Sequence, residues 1–144
     1  MKNVSLIKFE KSDAKFVQEN FLTYFKNFTT KNVENKIEKW RAGLGFCIVY
    51  DGQKVGLISL GEKQDRSLNF GIMILPDFRK KGIATAAFDL AKSIAKSKGY
   101  LTITSSCAKE NLASKNLHKK LGFDLEKEEK SPNGTDMLRW KMKI

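Results

Sequence analysis

Apolar residues recur along the chain with two different periods, and each period predicts a type of element. Residues 46–50 and 54–60 are rich in β-branched and other apolar side chains, and Asp51-Gly52 joins them. A dipeptide of this kind between two apolar runs favours a tight hairpin turn. Over residues 83–98 the apolar positions are instead three and four apart, which predicts a long amphipathic helix. The chain therefore combines strands and helices.

The same pattern predicts the remaining elements. Further strands are expected over residues 4–9, 68–75, 101–105, 123–128 and 137–144, and further helices from Ser12 or Asp13 to about Phe25, over residues 31–41, and from Asn111 to Leu121. The order is β-α-α-β-β-β-α-β-α-β-β, with one strand–helix–strand unit that is typical of a parallel crossover. We therefore predict one mixed α/β domain over residues 1–144, with a central, mostly antiparallel sheet flanked by about four helices.

Composition agrees with a folded domain and limits the chemistry. Of the 144 residues, 41% are hydrophobic and 30% are charged, and the formal net charge is +11. That excess fits either a lysine-rich solvated surface or a polyanionic partner, such as a nucleotide cofactor or RNA. Cys47 and Cys107 form no C-x-x-C pair, and the chain has one histidine. These residues predict no metal site, and reduced cysteines.

The chain shows no targeting or membrane segment. No apolar run approaches the roughly 20 residues that a membrane helix needs. Near the N-terminus, Lys8 and Glu10 interrupt the stretch that a signal peptide would keep apolar. We therefore expect a cytoplasmic protein with no membrane partner, as a monomer or a homodimer.

One segment, residues 70–85, carries a chemical signal. A predicted strand ends before Pro76, a basic loop follows, and Gly82 opens the long helix. Helix N-termini present unpaired N–H groups and a partial positive charge, which bind phosphate, and a glycine lets the backbone approach the anion closely. This segment therefore predicts a pyrophosphate site. The spacing of a Walker A loop is absent, and the Gly-x-Gly over residues 43–45 precedes a strand rather than a helix.

Two blocks in this half of the chain resemble a known family. Residues 79–84, Arg-Lys-Lys-Gly-Ile-Ala, fit the [Q/R]-x-x-G-x-[G/A] signature of the GNAT superfamily of acyl-CoA N-acetyltransferases. A second block over residues 111–123 fits its N-x-x-[S/A]…G-F pattern. The resemblance covers about residues 46–144, and the second block looks like the branch that contains ribosomal-protein N-terminal acetyltransferases.

The resemblance implies acetyl-CoA as co-substrate. The strand before Pro76 would run beside the pantetheine arm, the loop and helix start would hold the pyrophosphate, and Asn111 and Ser114 would contact the thioester end. The residues implied to bind acetyl-CoA are Ile72, Met73, Ile74, Arg79, Lys80, Lys81, Gly82, Ile83, Ala84, Thr85 and Asn111.

The resemblance also points to a proton donor. In this superfamily the proton donor is often a tyrosine seven residues after the helix-opening asparagine. Here that position is His118. Asn111, Ser114 and His118 are spaced i, i+3, i+7 and share one helix face. An imidazole titrates near neutrality, so His118 could donate to the thiolate or accept from the amine. Ser114 is the alternative, either as the donor or as a group that orients the thiol.

A general base is harder to find. Asn69 and Ser106 stand where relatives often carry glutamate, and Glu62 and Asp65 are possible substitutes. A site without a strong base suits an amine of low pKa: an α-amine titrates near ~7.7–8.0 and a lysine near ~10.4. We therefore expect a small amine or a protein N-terminus as acceptor. An RNA-bound aminoacyl group and a non-catalytic acyl-CoA-binding domain are the alternatives.

Overall fold

The computed structural model describes residues 3–21 and 30–144. The strands are β1 (Val4–Lys8), β2 (Leu44–Tyr50), β3 (Gln53–Lys63), β4 (Ser67–Ile74), β5 (Thr102–Ala108), β6 (Asp124–Lys130) and β7 (Asp136–Lys143). The α-helices are α1 (Asp13–Phe21), α2 (Thr30–Ala42), α3 (Ile83–Ser97) and α4 (Leu112–Leu121). This order confirms the predicted one, and the expected end of the first helix near Phe25 lies outside the described residues.

All the described strands join one sheet in the order β1-β2-β3-β4-β5-β7-β6. Every neighbouring pair is antiparallel except β4 and β5, which are parallel and are connected through α3. The mixed α/β class and the single crossover are confirmed. Strand β7 lies between β5 and β6, so the chain's last hairpin folds back onto the crossover unit.

The first hairpin follows the turn chemistry of its sequence. Tyr50 pairs with Gln53, and the two residues between them both have positive φ, 49° for Asp51 and 79° for Gly52. A two-residue loop with left-handed backbone at both positions matches the twist of the flanking strands. This turn sets the register of β2 on β3.

The sheet buries apolar residues on both faces. Helix α3 lies on one face with its short side chains, Ala87, Ala91 and Ala95, fully buried. Such small residues let a helix approach a sheet closely, while Phe88 and Phe70 fill the space beside them with ring centroids 4.9 Å apart. The other face is covered at its N-terminal half by α1 and α2. That cluster comprises Phe9, Val17, Phe21, Val33, Ile37, Cys47 and Leu57.

One ion pair links α1 to the sheet. Asp13 is 1% exposed, accepts a hydrogen bond from the backbone N–H of Glu10, and pairs with Lys54 on β3. A buried carboxylate needs such partners to offset its lost hydration. Burial, with Asp13 nearby, raises the pKa of the Cys47 thiol to about 12. Cys47 and Cys107 are both free and buried.

Helix length and composition were also compared with what a bilayer requires. Within the part of the chain that the structure describes, no helix is both long enough and apolar enough to cross a membrane.

Candidate active site

The site begins where two parallel strands separate. On one side, β4 pairs with β3 along its whole length, from Ser67 to Ile74. On the other side its ladder with β5 covers three pairs and ends at Asn69 and Thr104. Beyond this point, residues 70–74 of β4 and residues 105–108 of β5 diverge. We call the space between these two segments the wedge, and its closed end the vertex.

Three contacts show which backbone groups of β4 face the wedge. The side-chain oxygen of Thr104 lies 3.4 Å from Leu68 O, and that of Ser105 lies 3.1 Å from Phe70 O. The Nε of Arg79 donates to Ile74 O over 3.0 Å. Alternate residues of a strand point their backbone groups to the same edge.

Ile72 therefore also points its backbone N–H and C=O to the wedge. The ladder with β5 ends before it, and no side chain of the described residues is recorded as bonding to it. Met73, by contrast, pairs with Leu57 of β3 and packs its side chain against the α1–α2 cluster. Of the three residues predicted to run beside a pantetheine arm, Ile72 and Ile74 face the wedge with their backbone groups and Met73 does not.

The predicted phosphate loop lies at the open end of the wedge. After a short 3-10 turn at Pro76–Phe78, Lys80 and Gly82 have left-handed backbone, with φ of 60° and 81°. Gly82 is the N-cap of α3 and no side chain caps the helix start. Backbone N–H groups in such turns form anion-binding concavities, and the helix dipole adds positive charge. The loop from Arg79 to Gly82 is exposed.

The helix start behind the loop is anchored to the core. Ile83 is buried, and Ala84 and Thr85 are half-buried. The structure thus brings the end of β4, the basic loop and the first turn of α3 together, as the sequence predicted. The loop side chains have different roles, because Arg79 is held against the end of β4 by its hydrogen bond to Ile74 O.

Helix α4 provides the third wall of the site. The Asn111 side chain accepts a hydrogen bond from the Ser114 N–H over 3.1 Å, which caps the helix. At the other end, Gly122 adopts φ of 97° and ends the helix. Ser114 is half-buried one turn before His118. The predicted set Asn111, Ser114 and His118 does share one side of α4, but its members differ in exposure.

His118 lies in the core with both ring nitrogens engaged. It is 4% exposed, its Nδ1 lies 2.7 Å from Ser114 O, and its Nε2 lies 2.8 Å from the Ser105 oxygen. The ring stacks on Trp140 at 5.3 Å and meets Phe123 edge-on. Burial lowers the pKa of His118, against the opposing effect of its bond to Ser114 O, so the neutral ring is favoured at pH 7. The hydrogen bond of His118 toward the vertex runs through Ser105.

Ser105 is the residue of this site that the sequence analysis did not identify. It is 4% exposed and sits between Ile103 and Cys107 on the buried face of β5. A serine at a position where the alternation requires an apolar residue was the available signal. Buried hydroxyls need partners, and here these partners are His118 and Phe70.

The opposite face of the sheet is open beside the vertex. Asn69 and Ser106 are exposed there, and Thr104 is half-exposed. The register places two carboxylates of β6 on this face, Asp124 opposite Lys141 and Glu129 opposite Met137. Glu129 pairs with Arg139 at 3.2 Å, and that contact, the largest cause, lowers its pKa. A carboxylate held in its ionised form is a poor proton acceptor.

The two carboxylates considered as substitute bases lie near the first part of β4, on the vertex side of the site. Glu62 pairs with Leu68 at the first part of β4, and Asp65 belongs to the turn before that strand. The phosphate loop follows the other end of β4. At ~3.3 Å per residue, the strand separates its two ends by roughly 23 Å. Glu62 and Asp65 are therefore far from the phosphate loop, and their role as substitute bases on the vertex side of the site stays a prediction.

Comparisons with known proteins agree on one family. The sequence profile of the acetyltransferase (GNAT) domain matches residues 4–124. The spermidine N(1)-acetyltransferase of Escherichia coli K12 is 36% identical over 90 residues, which cover 58% of this chain and 46% of that enzyme. The chain thus spans about half the length of the curated relatives that it matches.

Solved structures extend the likeness over the whole chain. The Salmonella typhimurium acetyltransferase that modifies the N-terminal serine of ribosomal protein L7/L12 superposes with a TM-score of 0.86 at 14% identity, covering 100% of this chain and 96% of that one. A microcin C7 self-immunity acetyltransferase in complex with acetyl-CoA and AMP gives a TM-score of 0.80 at 18% identity, covering 100% and 94%. At such identities the likeness shows the fold alone.

Proposed function

Because the chain belongs to the GNAT acetyltransferase family, we propose that it is an N-acetyltransferase that moves an acetyl group from acetyl-CoA to a primary amine by direct attack. One observation supports this most strongly. The ladder between β4 and β5 ends at Asn69 and Thr104, and the edge of β4 left unpaired from there leads to a basic loop and an uncapped helix N-terminus. An unpaired strand edge suits the amides of a pantetheine arm, and the loop suits its pyrophosphate.

Each part of the cofactor has a proposed contact. The Ile72 backbone pairs with a pantetheine amide, and Ile74 bounds the same edge, with its carbonyl held by Arg79. Lys80, Lys81 and Gly82 surround the pyrophosphate. The N–H groups of Ile83, Ala84 and Thr85 complete that site, and the N-terminus of α4, with Asn111 and Ser114, lies toward the thioester.

The acceptor that the site favours is an α-amine of low pKa, such as a protein N-terminus or a small amino compound. The open face beside the vertex carries Asn69, Thr104 and Ser106, none of which is a strong base. On β6, Glu129 of the same face is held in an ion pair, and Asp124 lies two strands away from Thr104, beyond Lys141. An amine that is already partly neutral at pH 7 needs little help, since an α-amine titrates near ~7.7–8.0.

A polyamine is the second candidate acceptor. It is supported by the Escherichia coli spermidine N(1)-acetyltransferase, whose matched segment is 36% identical. The net charge of +11 opposes it, because a basic surface repels a polycation and slows its approach. The same surface would attract a nucleic-acid-bound acceptor, which we do not favour.

An acceptor screen with product identification tests this proposal. The protein is incubated with acetyl-CoA and with peptides that differ only in a free or blocked N-terminus, with spermidine, with amino acids and with aminoacylated tRNA. Mass spectrometry then identifies each acetylated product. Acetylation of the free α-amine is expected, while spermidine as the sole product would establish the second candidate. Binding of acetyl-CoA without any product would contradict the proposed activity.

The setting of the protein is a proposal as well. We place the domain, residues 1–144, in the cytoplasm as a monomer or homodimer. The two free, buried cysteines support a reducing compartment.

A further inference from the structure

A chain of buried hydrogen bonds joins β4, β5 and α4 at the vertex. It runs from Phe70 O to the Ser105 hydroxyl over 3.1 Å and from there to His118 Nε2 over 2.8 Å. It continues from His118 Nδ1 to Ser114 O over 2.7 Å. Both ends are backbone carbonyls, which can only accept.

The neutral ring leaves this chain one hydrogen short. The bond to Ser114 O requires the hydrogen on Nδ1, so Nε2 of a neutral His118 is a bare acceptor. Ser105 has one hydrogen and faces two acceptors, Nε2 and Phe70 O. A second ring hydrogen, on Nε2, would let Nε2–H donate to Ser105 and Ser105 donate to Phe70 O. The arrangement therefore has a place for one additional proton.

The place for this additional proton lies next to the unpaired edge of β4. Ser105 directly follows Thr104, the last residue of β5 paired with β4, and its partner Phe70 directly follows Asn69. The next backbone that faces the wedge is Ile72. The hydroxyl thus lies where the unpaired edge begins, and the imidazole lies behind it.

Among the residues that the structure describes, aromatic rings and not charged groups surround the His118 ring. Phe70 from β4, Phe123 before β6 and Trp140 from β7 enclose it. The titratable neighbour among the described residues is Cys107 on β5, whose sulfur accepts from the Trp140 indole N–H at 3.3 Å. On α4, Lys115 is half-buried, whereas Lys119 and Lys120 are exposed. No carboxylate of the described residues is recorded on the ring.

We propose that the Ser105 hydroxyl exchanges a proton between the reacting atoms and the buried imidazole of His118, an assignment that rests on the proposed acetyl transfer. Ser105 is then a catalytic residue, and His118 acts through it. Ser114 contributes its backbone carbonyl, which fixes the ring hydrogen on Nδ1.

The proton balance of this step closes without another reactant. The amine nitrogen attacks the thioester carbonyl carbon, a C–N bond forms, and the π electrons move to oxygen. A proton on that nitrogen passes to the Ser105 oxygen while the Ser105 proton passes to His118 Nε2. The oxyanion then reforms the carbonyl, the C–S bond breaks, and the sulfur leaves with the electron pair. The proton returns from His118 through Ser105 to the sulfur, which gives an amide and a thiol.

The single histidine allows a direct test that does not require activity. In the protein labelled with 15N-histidine, the ring signals belong to His118 without further assignment. We expect hydrogen on Nδ1 and an Nε2 that accepts a bond from Ser105. Ser105→Ala removes that donor, so the Nε2 signal moves downfield, and Ser105→Thr restores it. An Nε2 signal that does not move in Ser105→Ala would overturn the proposed role of Ser105.

Kinetics then tests the catalytic role. With saturating acetyl-CoA and a peptide bearing a free N-terminal serine, Ser105→Ala is expected to lower kcat about 100-fold, and Ser105→Thr to retain most of it. Ser97→Ala is the matched control, because it also removes a hydroxyl that donates to a backbone carbonyl, Ile94 O, at the far end of α3. The affinity for CoA, measured by calorimetry, should stay within about twofold in all three.

The outcomes separate this inference from the proposed function. Product from the wild type, with kcat of Ser105→Ala within about twofold of it, overturns the role of Ser105 alone. A parallel loss of kcat and CoA affinity in Ser105→Ala also overturns it, since that pattern marks a structural role. No product from the wild type on any acceptor overturns the proposed function and this step with it.

Discussion

The two edges of β4 show how this fold makes a binding site. Toward β3 the strand is paired from Ser67 to Ile74, whereas toward β5 it is paired only as far as Asn69. The paired edge provides stability, because buried backbone groups must be satisfied. The unpaired edge leaves groups for another molecule to satisfy. The site is thus an interrupted ladder rather than a separate cavity.

Side chains complete the unpaired edge at both of its ends. Near the vertex the buried hydroxyl of Ser105 contacts Phe70 O, and at the open end the exposed guanidinium of Arg79 donates to Ile74 O. Ile72 lies between these two anchors. Ile72 is therefore the residue of β4 whose backbone we propose to pair with the cofactor.

The largest effect is expected from Gly82→Glu. Gly82 has φ of 81° at the start of α3, where the phosphate oxygens would lie, and glutamate adds bulk and negative charge there. We expect the affinity for acetyl-CoA, measured by isothermal titration calorimetry, to fall more than about 100-fold, which corresponds to ~2.8 kcal/mol.

A matched control is Gly134→Glu. Gly134 also has positive φ, 84°, and a side chain added there meets nothing within 4 Å. This variant carries the same backbone cost and the same charge change away from the wedge, so its affinity should equal that of the wild type. Equal losses in both variants would show that charge or folding, and not the phosphate site, explains the effect.

Two proline substitutions test the edges separately. Ile72→Pro removes an N–H from the unpaired edge, while Met73→Pro removes one from the ladder to Leu57. Ile72→Pro should weaken acetyl-CoA binding about 10-fold and retain more stability. Met73→Pro should cost an additional ~1–3 kcal/mol of unfolding free energy in urea denaturation, because it leaves a buried carbonyl unsatisfied. If Ile72→Pro destabilised the protein more than Met73→Pro, then Ile72 and not Met73 would be the residue paired with a neighbouring strand.

The side chain of Arg79 should contribute less to acetyl-CoA affinity than the backbone of Ile72. Arg79→Gln removes the bond to Ile74 O and one positive charge beside the phosphate loop. We expect acetyl-CoA affinity to fall about 5-fold, or ~1 kcal/mol, with steeper loss at low salt, where surface charge is least screened. Lys63→Gln, an equal charge change at the far end of β3, should leave the affinity unchanged. A similar loss in the two variants would indicate an effect of net charge.

The smallest effect is the pH dependence that His118 adds to stability. Burial lowers its pKa in the folded protein, while the unfolded chain titrates near the ordinary value of about 6.5. As the pH falls through that value, the unfolded chain takes up the proton first. The contribution of neutral His118 to the free energy of unfolding should therefore be complete above about pH 6.5. It should decrease below that pH until the pKa of the folded protein is reached.

His118→Gln isolates this contribution, since the glutamine amide can donate and accept hydrogen bonds but does not titrate. Urea denaturation between pH 8 and pH 5 should show a shallower acid-side loss in the variant than in the wild type. A steeper loss in the variant would mean that the folded protein holds the imidazole charged, and that the neutral resting state at the vertex is wrong.

Much of this architecture could be predicted from the sequence. Periodicity and turn residues gave the element order, since Asp51-Gly52 and the apolar stripe of α3 are local signals. The insertion of β7 between β5 and β6 is a non-local pairing that no local pattern specifies. The phosphate loop was predictable because its glycine, charges and helix start lie together in sequence.

The vertex could not be predicted in the same way. The spacing of Asn111, Ser114 and His118 shows that they share a side of α4, but it does not show how deep each lies. His118 is buried because Trp140 and Phe123, both later in the chain, pack on its ring. The partner that occupies its Nε2 comes from another strand, and only the structure brings Ser105 to it.

Backbone amide exchange at Ile72 shows whether the unpaired edge of β4 binds acetyl-CoA. With assigned amide resonances, exchange rates are measured with and without saturating acetyl-CoA, and Met73 serves as the internal reference on the opposite edge. We expect the Ile72 amide to exchange quickly in the free protein and slowly in the complex, while Met73 is protected in both. Protection of Ile72 that does not change when acetyl-CoA binds would contradict this expectation.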